Sequence, residues 1–222
     1  YRIGIGGLHS SEKAQSIKPN KKQIMIERDV TSYYPMIIIN RKLSPKHLDK
    51  LFLKIYNQMF EDRKKAKQNG NKLVDASLKL ALNSSFGKLG SKYSFLYSPE
   101  LMLNVTLTGQ LCLLWLIEVL ERNGISIISA NTDGFVSLLN KIDTDTFDKI
   151  CQKWEDKTKF NLEDTPYKAL YSRDVNNYLA ITTEDKTKGK GIFTETSLRK
   201  NPAGNVIVKS VKDYLLKGRH NK

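Results

Sequence analysis

The chain has 222 residues, 40% of them hydrophobic, which is enough for one sizeable core or two small ones. Lys and Arg number 37 against 23 acidic residues, and the resulting net charge of +14 is spread along the chain. This charge favours a polyanionic partner, most commonly nucleic acid. A basic surface that only contacts solvent, or one that binds an anionic membrane, would have the same net charge. The 2 cysteines lack metal-ligand spacing, which argues against a zinc site and a disulfide framework.

No targeting or membrane-spanning segment is predicted. The segment YRIGIGGLHS at 1–10 lacks the long apolar core of a signal peptide. No uncharged apolar run reaches the ~18 residues that a membrane span needs. We therefore expect a soluble, cytoplasmic protein with no membrane partner.

The first predicted strand ends in an acid. Glycines are frequent in residues 1–11, which gives either a flexible segment or a loop that approaches another backbone closely. A polar loop follows, and QIMIERDV at 23–30 then alternates as a half-buried strand does. Asp29 therefore lies where a buried strand emerges. Pro35 interrupts regular pairing before the apolar run MIII at 36–39.

Two helices are predicted next. Helical spacing runs over 46–68, QNGN at 68–71 ends it, and a second helix covers 72–85. Two helices joined by a tight turn form an antiparallel hairpin. Its basic groups include Arg63 and Lys67, one turn apart on the first helix, and Lys79 on the second. Such charges form either a solvated face or a binding surface.

A long apolar helix over 99–122 leads into a predicted β-hairpin at 125–139. The hairpin turn is NTDG at 131–134, made of residue types that tolerate positive φ angles. Asp133 in this turn either satisfies local hydrogen bonds or contributes to a site. The acid is held at a rigid tip in both cases.

The remaining elements complete an α+β pattern. An amphipathic helix is predicted over 143–159, with Asp143 or Thr144 as N-cap. Strand-like runs at 169–183 and 191–194 flank a charged turn. Strands, an inserted helical hairpin, and then helices alternating with hairpins predict an α+β domain that carries a helical excursion.

Asp29 and Asp133 are the candidate metal ligands. Both stand at strand ends, so they meet if their strands are neighbours in one sheet. Mg²⁺ prefers hard oxygen ligands, usually one or two carboxylates plus substrate phosphates. Two such ions, about 3.5 to 4 Å apart, activate the attacking oxygen and stabilise the leaving oxygen in phosphoryl transfer. Cations on the helical hairpin are then spaced to hold a triphosphate.

The chain resembles the family B DNA polymerases, and particularly their phage members, over residues 23–193. DVTSYYP at 29–35 matches the family's first motif, D-x-x-S-L-Y-P, with Tyr for Leu. KLALNSSFG at 79–87 is similar to the second, K-x-x-x-N-S-x-Y-G, with Phe for Tyr. NTDG at 131–134 stands where the third motif, D-T-D-S, is expected. The three motifs occur in the family's order.

The resemblance implies a role for each matched residue. Asp29 and Asp133 bind the metals, and the main-chain carbonyl of Val30 is a further ligand. Ser32 and Tyr33 offer backbone N–H groups to the triphosphate. Tyr34 lies against the sugar and disfavours a ribose 2′-hydroxyl. Asn83 lines the base-pair pocket. The remaining implied nucleotide-binding residues are the cations Arg63, Lys67 and Lys79. The implied cofactor is a pair of Mg²⁺ ions, with Mn²⁺ as the alternative.

Three departures from the family pattern affect the predicted site. Asn131 replaces the first acid of D-T-D-S, and Gly134 replaces its serine. The family's later K-x-Y motif, which contacts the primer end, falls on 176–178, so that Tyr178 matches and the lysine is missing. Thr132 and Tyr178 are therefore expected to contact DNA. The candidates to replace the missing lysine are Lys188 and Lys190, with Arg173 and Lys186 as alternatives.

The resemblance also implies a domain layout and a function. Residues 1–40 and 93–194 form the palm, with an antiparallel sheet packed on helices, 41–92 form the fingers hairpin, and 195–222 end the palm and begin a thumb. The function is template-directed addition of deoxynucleoside triphosphates to a primer in primer-template DNA. The expected partners are the exonuclease and thumb parts of a longer polymerase or a replication partner, in the host cytoplasm if the source is a phage.

Two other functions are compatible with the sequence. One is a nucleic-acid-binding protein with a degenerate palm and no turnover, for which Asn131 is the main argument. The other is a different palm enzyme, such as a reverse transcriptase or an RNA polymerase. The motif at 79–87 argues against the second alternative.

Overall fold

A computed structural model of the chain describes residues 1–194 and 204–217. The strands are β1 (Arg2–Ile3), β2 (Leu8–His9), β3 (Gln15–Ile17), β4 (Gln23–Val30), β5 (Ser126–Asn131), β6 (Gly134–Asn140), β7 (Leu162–Asp174), β8 (Asn177–Thr182) and β9 (Thr187–Lys190). The helices are α1 (Tyr33–Asn40), α2 (Asp49–Gln68), α3 (Lys72–Lys88), α4 (Pro99–Arg122), α5 (Thr144–Thr158) and α6 (Asn205–Lys217). The predicted thumb start at 195–222 lies partly outside the described residues.

The strands form one antiparallel sheet in the order β1-β2-β5-β6-β4-β7-β8-β9, with β3 paired to β7. The central strand β4 pairs with β6 on one side and β7 on the other. The predicted α+β class, with an antiparallel sheet on helices and an inserted helical hairpin, is confirmed. The predicted strand at 23–30 and the hairpin after 125 are confirmed as β4 and as β5 with β6.

The two faces of β4 have different surroundings, because side chains alternate along a strand. Arg28 points to the helical face, where its guanidinium contacts Asp148 at 2.6 Å and Asp164 at 2.7 Å and covers the Phe147 ring. The contacts with Asp148 and Phe147 join α5 to the sheet, and the contact with Asp164 joins β4 to β7. The opposite face of β4 carries Glu27 and Asp29 and lines an open cavity.

The helical hairpin of α2 and α3 is packed as a unit. Asn71 caps α3 by accepting a hydrogen bond from the Val74 N–H at 3.2 Å. Tyr56 is buried and donates to the Leu82 carbonyl at 3.1 Å. Helical spacing in the sequence predicts that Leu73 and Val74 lie on the inner face of α3, and this is wrong, because the two residues are 78% and 39% exposed. The prediction also ended α3 too early, at 85.

The long helix α4 has the predicted bounds. Its inner side packs in the main core, with Val105, Leu113 and Leu120 fully buried. By length and composition it is also the one helix in residues 1–194 and 204–217 that could cross a membrane, with 44% of the apolar window buried inside the protein.

Four local predictions are corrected by the structure. The MIII run belongs to helix α1, because Pro35 occupies the first helical turn, where its missing N–H costs nothing. The run at 169–183 is divided between β7 and β8 by a tight turn. Residues 191–193 form a 3-10 turn, and β9 lies within the charged segment before it. A short strand, β3, lies in the predicted polar loop.

Candidate active site

Asp29 and Asp133 meet at one edge of the sheet. Asp29 is paired in register with Gly134, and the Val30 N–H donates to the Asp133 carbonyl at 2.7 Å. Thr132 has a left-handed φ of 60°, as the tight turn requires. The strand end and the turn are therefore held together by backbone hydrogen bonds, and both carboxylates line the same two cavities.

The glycine-rich N-terminal segment supports this turn. The Thr132 N–H donates to the Leu8 carbonyl at 2.7 Å. A Cβ on Gly7 would lie 2.8 Å from the Thr132 hydroxyl and 3.0 Å from its Cα. Of the two predictions for this segment, close approach to another backbone is confirmed. Thr132, predicted to contact DNA, faces this segment and also lies 3.4 Å from His9 Nε2.

The carboxyl group of Asp133 has an elevated pKa. Burial and the nearby Asp29 carboxylate raise the pKa of Asp133 to about 6, although Lys188 and Lys190 oppose the shift. Asp133 is nevertheless exposed to solvent, so the burial that raises its pKa is the crowding of protein atoms around a concave site that remains open to water. Two acids that repel in this way form a favourable position for a cation.

Gly134 allows Asp29 its present position. A Cβ at residue 134 would lie 2.0 Å from Asp29 Oδ1 and 2.8 Å from the Arg28 carbonyl. The backbone oxygen cannot move without disturbing β4. The replacement of the family serine by glycine thus has a local structural reason.

The first cavity, which we call the hairpin cavity, lies between the sheet edge and the helical hairpin. Its lining includes every residue that was predicted to bind metal or nucleotide: Asp29, Val30, Ser32, Tyr33, Tyr34, Arg63, Lys67, Lys79, Asn83 and Asp133. Residues separated by a hundred positions in sequence are therefore brought into one space by the fold.

Acids and hydroxyls orient the cations of the hairpin cavity. Arg63 donates from Nε to Asp75 at 2.9 Å and from Nη1 to the Ser32 hydroxyl at 2.6 Å. Lys67 contacts Glu163 at 2.9 Å, with both side chains more than half exposed. An exposed pair of this kind is weak, so Lys67 is available to an anionic ligand.

The two tyrosines of the first motif have different surroundings. The Tyr33 ring is buried in the core, and its hydroxyl donates to the Gly109 carbonyl at 2.6 Å. The Tyr34 ring is stacked on Phe86 with centroids 4.2 Å apart, and its hydroxyl donates to the Gly6 carbonyl. Both tyrosines line the hairpin cavity, and of the two only Tyr34 is partly exposed.

The second cavity, which we call the sheet cavity, lies on the open face of the sheet. Its lining includes Glu27, Asp29, Asn131, Asp133, Tyr178, Lys188 and Lys190. Three predicted DNA-binding residues, Tyr178, Lys188 and Lys190, are thus beside the two carboxylates. Glu27 was missed by the sequence reasoning, although the period of 2 along β4 places it on the same face as Asp29.

Asn131 has a donor role that an aspartate could not perform. Its Nδ2 donates to the Val175 carbonyl at 3.0 Å and approaches Asn176 Oδ1 at 3.4 Å. An ionised carboxylate only accepts hydrogen bonds. Asn131 therefore links the β5–β6 turn to the β7–β8 turn.

No family model matches the chain. A DNA polymerase from Thermococcus gorgonarius is 24% identical over 205 aligned residues, which cover 74% of this chain and 26% of that polymerase. The structure of the family B DNA polymerase from the hyperthermophilic archaeon Pyrobaculum calidifontis matches with a TM-score of 0.57 and 15% identity, over 96% of this chain and 36% of that one. The chain therefore has the fold of part of a family B DNA polymerase and spans about a quarter to a third of these proteins.

Proposed function

We propose that this chain is the palm and fingers core of a family B DNA polymerase, and that it adds deoxynucleotides to a primer 3′ end. The observation that carries the proposal is the position of Asp29 and Asp133 between two cavities. One cavity is lined by the cations of the helical hairpin, and the other by lysines of the sheet. Similarity to the Thermococcus gorgonarius DNA polymerase supports the same function.

The residues fit a divalent metal bound together with substrate. Within the described parts of the chain, no three His, Cys, Asp or Glu side chains group closely enough to hold an ion. Mg²⁺ is commonly held by one or two carboxylates plus substrate phosphates, which is the donor set that Asp29, Asp133 and the Val30 carbonyl offer. Bound Mg²⁺, or Mn²⁺, would lower the pKa of the attacking hydroxyl and neutralise charge on the phosphates.

The protein side chains perform the binding and orientation. Arg63, Lys67 and Lys79 bind the triphosphate oxygens from the helical hairpin. Ser32 and Tyr33, at the start of α1, offer backbone N–H groups to the same phosphates. Tyr34 contacts the sugar, and Asn83 borders the forming base pair. Catalysis of phosphoryl transfer consists mainly of such positioning and charge stabilisation.

The proposal extends to the organisation of a longer protein. The domain bounds that we propose are the predicted ones, with palm segments at 1–40 and 93–194, fingers at 41–92, and the palm end and the start of a thumb at 195–222. Exonuclease and thumb parts, a phage-type relationship and a cytoplasmic location belong to the proposal as well. Contacts with the phosphate backbone of DNA supply most of the affinity, and the proposed thumb would add such contacts. This core alone is therefore expected to bind primer-template weakly.

Primer extension tests the proposed function against a binding protein without turnover. The purified chain is incubated with primer-template, Mg²⁺ or Mn²⁺, and either deoxynucleotides or ribonucleotides. Extension with deoxynucleotides supports the proposal. Binding of primer-template without incorporation under either metal favours the binding protein, while preferential ribonucleotide incorporation favours an RNA polymerase.

The metal requirement is expected to depend on pH through Asp133. Its pKa is raised to about 6, so the carboxyl group becomes protonated as the pH falls through that value. Metal competes with this proton, because only the ionised carboxylate is a good ligand. The Mg²⁺ concentration for half-maximal extension should therefore rise as the pH falls through about 6. A concentration that is constant across this range would contradict the assignment of Asp133 as a ligand.

Tyr34 is expected to determine the sugar preference. Replacing its ring with valine should raise the ribonucleotide to deoxynucleotide incorporation ratio by about 10- to 100-fold, the range of discrimination by steric fit. Tyr34→Phe is the matched control, because it keeps the ring stacked on Phe86 and removes only the hydroxyl bond to Gly6. Discrimination that is lost equally in both variants would contradict a steric role for the ring.

A further inference from the structure

Glu27, Tyr167 and Lys188 form a polar cluster next to the carboxylate pair. The Lys188 ammonium lies 2.5 Å from Glu27 Oε2 and 3.3 Å from Asp29 Oδ2. The Tyr167 hydroxyl donates to the same oxygen of Glu27. The Glu27 side chain is 8% exposed, whereas the Lys188 side chain is 42% exposed. The Glu27 carboxylate is thus buried beneath the surface of the sheet cavity, and the Lys188 side chain reaches that surface.

The sheet must curl for this contact to form. Lys188 is on β9, and two strands, β7 and β8, separate β9 from β4 in the sheet order. The lysine nevertheless reaches Glu27 and Asp29 on β4. Lys188 therefore extends across the concave face of the curled sheet to the carboxylates.

Lys188 is held in this position by acceptors on β4. Its ammonium donates to Glu27 Oε2 and to Asp29 Oδ2. A buried carboxylate is costly unless a cation and hydrogen-bond donors compensate it. Glu27 has Lys188 and Tyr167 as these partners, so the side chains of the cluster have fixed positions and the partly exposed ammonium faces the cavity.

The two cavities indicate which substrate this cation faces. In phosphoryl transfer, the attacking and leaving oxygens stand roughly in line on opposite sides of the phosphorus. The cations Arg63, Lys67 and Lys79 line the hairpin cavity, so the triphosphate belongs on that side of the carboxylates. The attacking primer end must then approach through the sheet cavity, where Lys188 lies.

We propose that Glu27 is a positioning residue which, with Tyr167, holds Lys188 beside Asp29 so that its ammonium binds the backbone phosphate at the primer end. This inference rests on the proposed function, since it takes the sheet cavity as the primer side. The lysine that the family motif places two residues before Tyr178 is Asn176 here, and β9 supplies the charge. Neither Glu27 nor Tyr167 belongs to any of the matched motifs.

The test measures binding of a labelled primer-template by fluorescence anisotropy, without nucleotide and at several salt concentrations. Lys188→Ala should weaken binding about 10-fold at low salt. It should also lower, by about 1, the magnitude of the slope of log affinity against log salt concentration, because one counterion fewer is released on binding. Lys188→Arg, which keeps the charge, should recover most of the affinity. The loss should be smaller for single-stranded template, because that ligand has no primer end.

Variants of Glu27 distinguish positioning from a structural role. Glu27→Gln should raise KM for primer-template about 3- to 10-fold with a smaller change in kcat, because the lysine remains but is no longer fixed. Tyr167→Phe should shift KM in the same direction by less. In the K188A background, Glu27→Gln should have no further effect on affinity, since coupled residues are not additive. Lys168→Ala, on β7 and paired with Asp185, is the control and should bind within about twofold of the parent.

Two results would overturn the inference. One is unchanged primer-template affinity in K188A with normal thermal stability. The other is an equal effect of Glu27→Gln in the parent and K188A backgrounds, which would make Glu27 merely structural. A parent that binds primer-template but never extends it would contradict the polymerase proposal, whereas the affinities of the variants would still decide the role of Glu27.

Discussion

Asparagine in place of Asp133 is expected to reduce the rate of nucleotide incorporation by about 10³-fold or more, the scale on which removal of transition-state charge stabilisation acts. The change keeps the size of the side chain and removes its charge. The turn should persist, because its hydrogen bonds to Val30 and Leu8 are made by the backbone. Single-turnover extension with saturating nucleotide measures the chemical step directly.

Asp29→Asn is expected to give a loss of similar size, because both carboxylates line both cavities. Asp145→Asn is the matched control, since it removes one exposed acid from the first turn of α5. Circular dichroism and thermal unfolding should show that all three variants are folded. Extension within about tenfold of the parent in either catalytic-site variant would exclude the proposed two-metal role.

The elements that position the site follow from simple patterns in the sequence. The alternation at 23–30 and the NTDG turn at 131–134 predict two strand ends that carry Asp29 and Asp133. Their adjacency did not follow from periodicity, because strand order is a tertiary property, and 103 residues lie between the end of β4 at Val30 and the start of β6 at Gly134. The order of the three motifs related the two acids to each other, because the family resemblance implies that both belong to one metal-binding site.

The contacts in the sheet cavity could be predicted from the sequence only in part. Glu27 is two residues before Asp29, and strand periodicity alone places both on one face. Its partner Lys188 could not be found in this way. The contact depends on curling of the sheet across β7 and β8, and no local pattern encodes that curvature. The charged segment around β9 has the sequence of a solvated turn, yet one of its lysines contacts Asp29.

Asn131 also has a different meaning after the structure is known. In the sequence, it suggested a weakened metal site and favoured the non-catalytic alternative. In the structure, its amide donates to the Val175 carbonyl and joins two turns. The structure thus gives the amide at residue 131 a role that does not depend on metal binding. The substitution therefore no longer favours a binding protein over an enzyme.

Gly134 provides a test in which motif and geometry give opposite expectations. The family motif has serine at this position, so resemblance alone predicts that Gly134→Ser is harmless or beneficial. In the structure, any Cβ at residue 134 would overlap Asp29 Oδ1 at 2.0 Å and press on the Arg28 carbonyl at 2.8 Å. To remove this overlap, the Asp29 carboxylate must rotate or β4 must move away from β6.

We therefore expect Gly134→Ala and Gly134→Ser to lower kcat by about 10²-fold, because a displacement of about 1 Å in a positioned group costs that much. Overpacking next to β4 should also lower the free energy of unfolding by about 1–3 kcal/mol. Gly204→Ala is the control, since a Cβ there would meet nothing within 4 Å. Full activity of Gly134→Ser would show that the Asp29 carboxylate can bind metal from another rotamer, so that its contact with Gly134 has no part in catalysis.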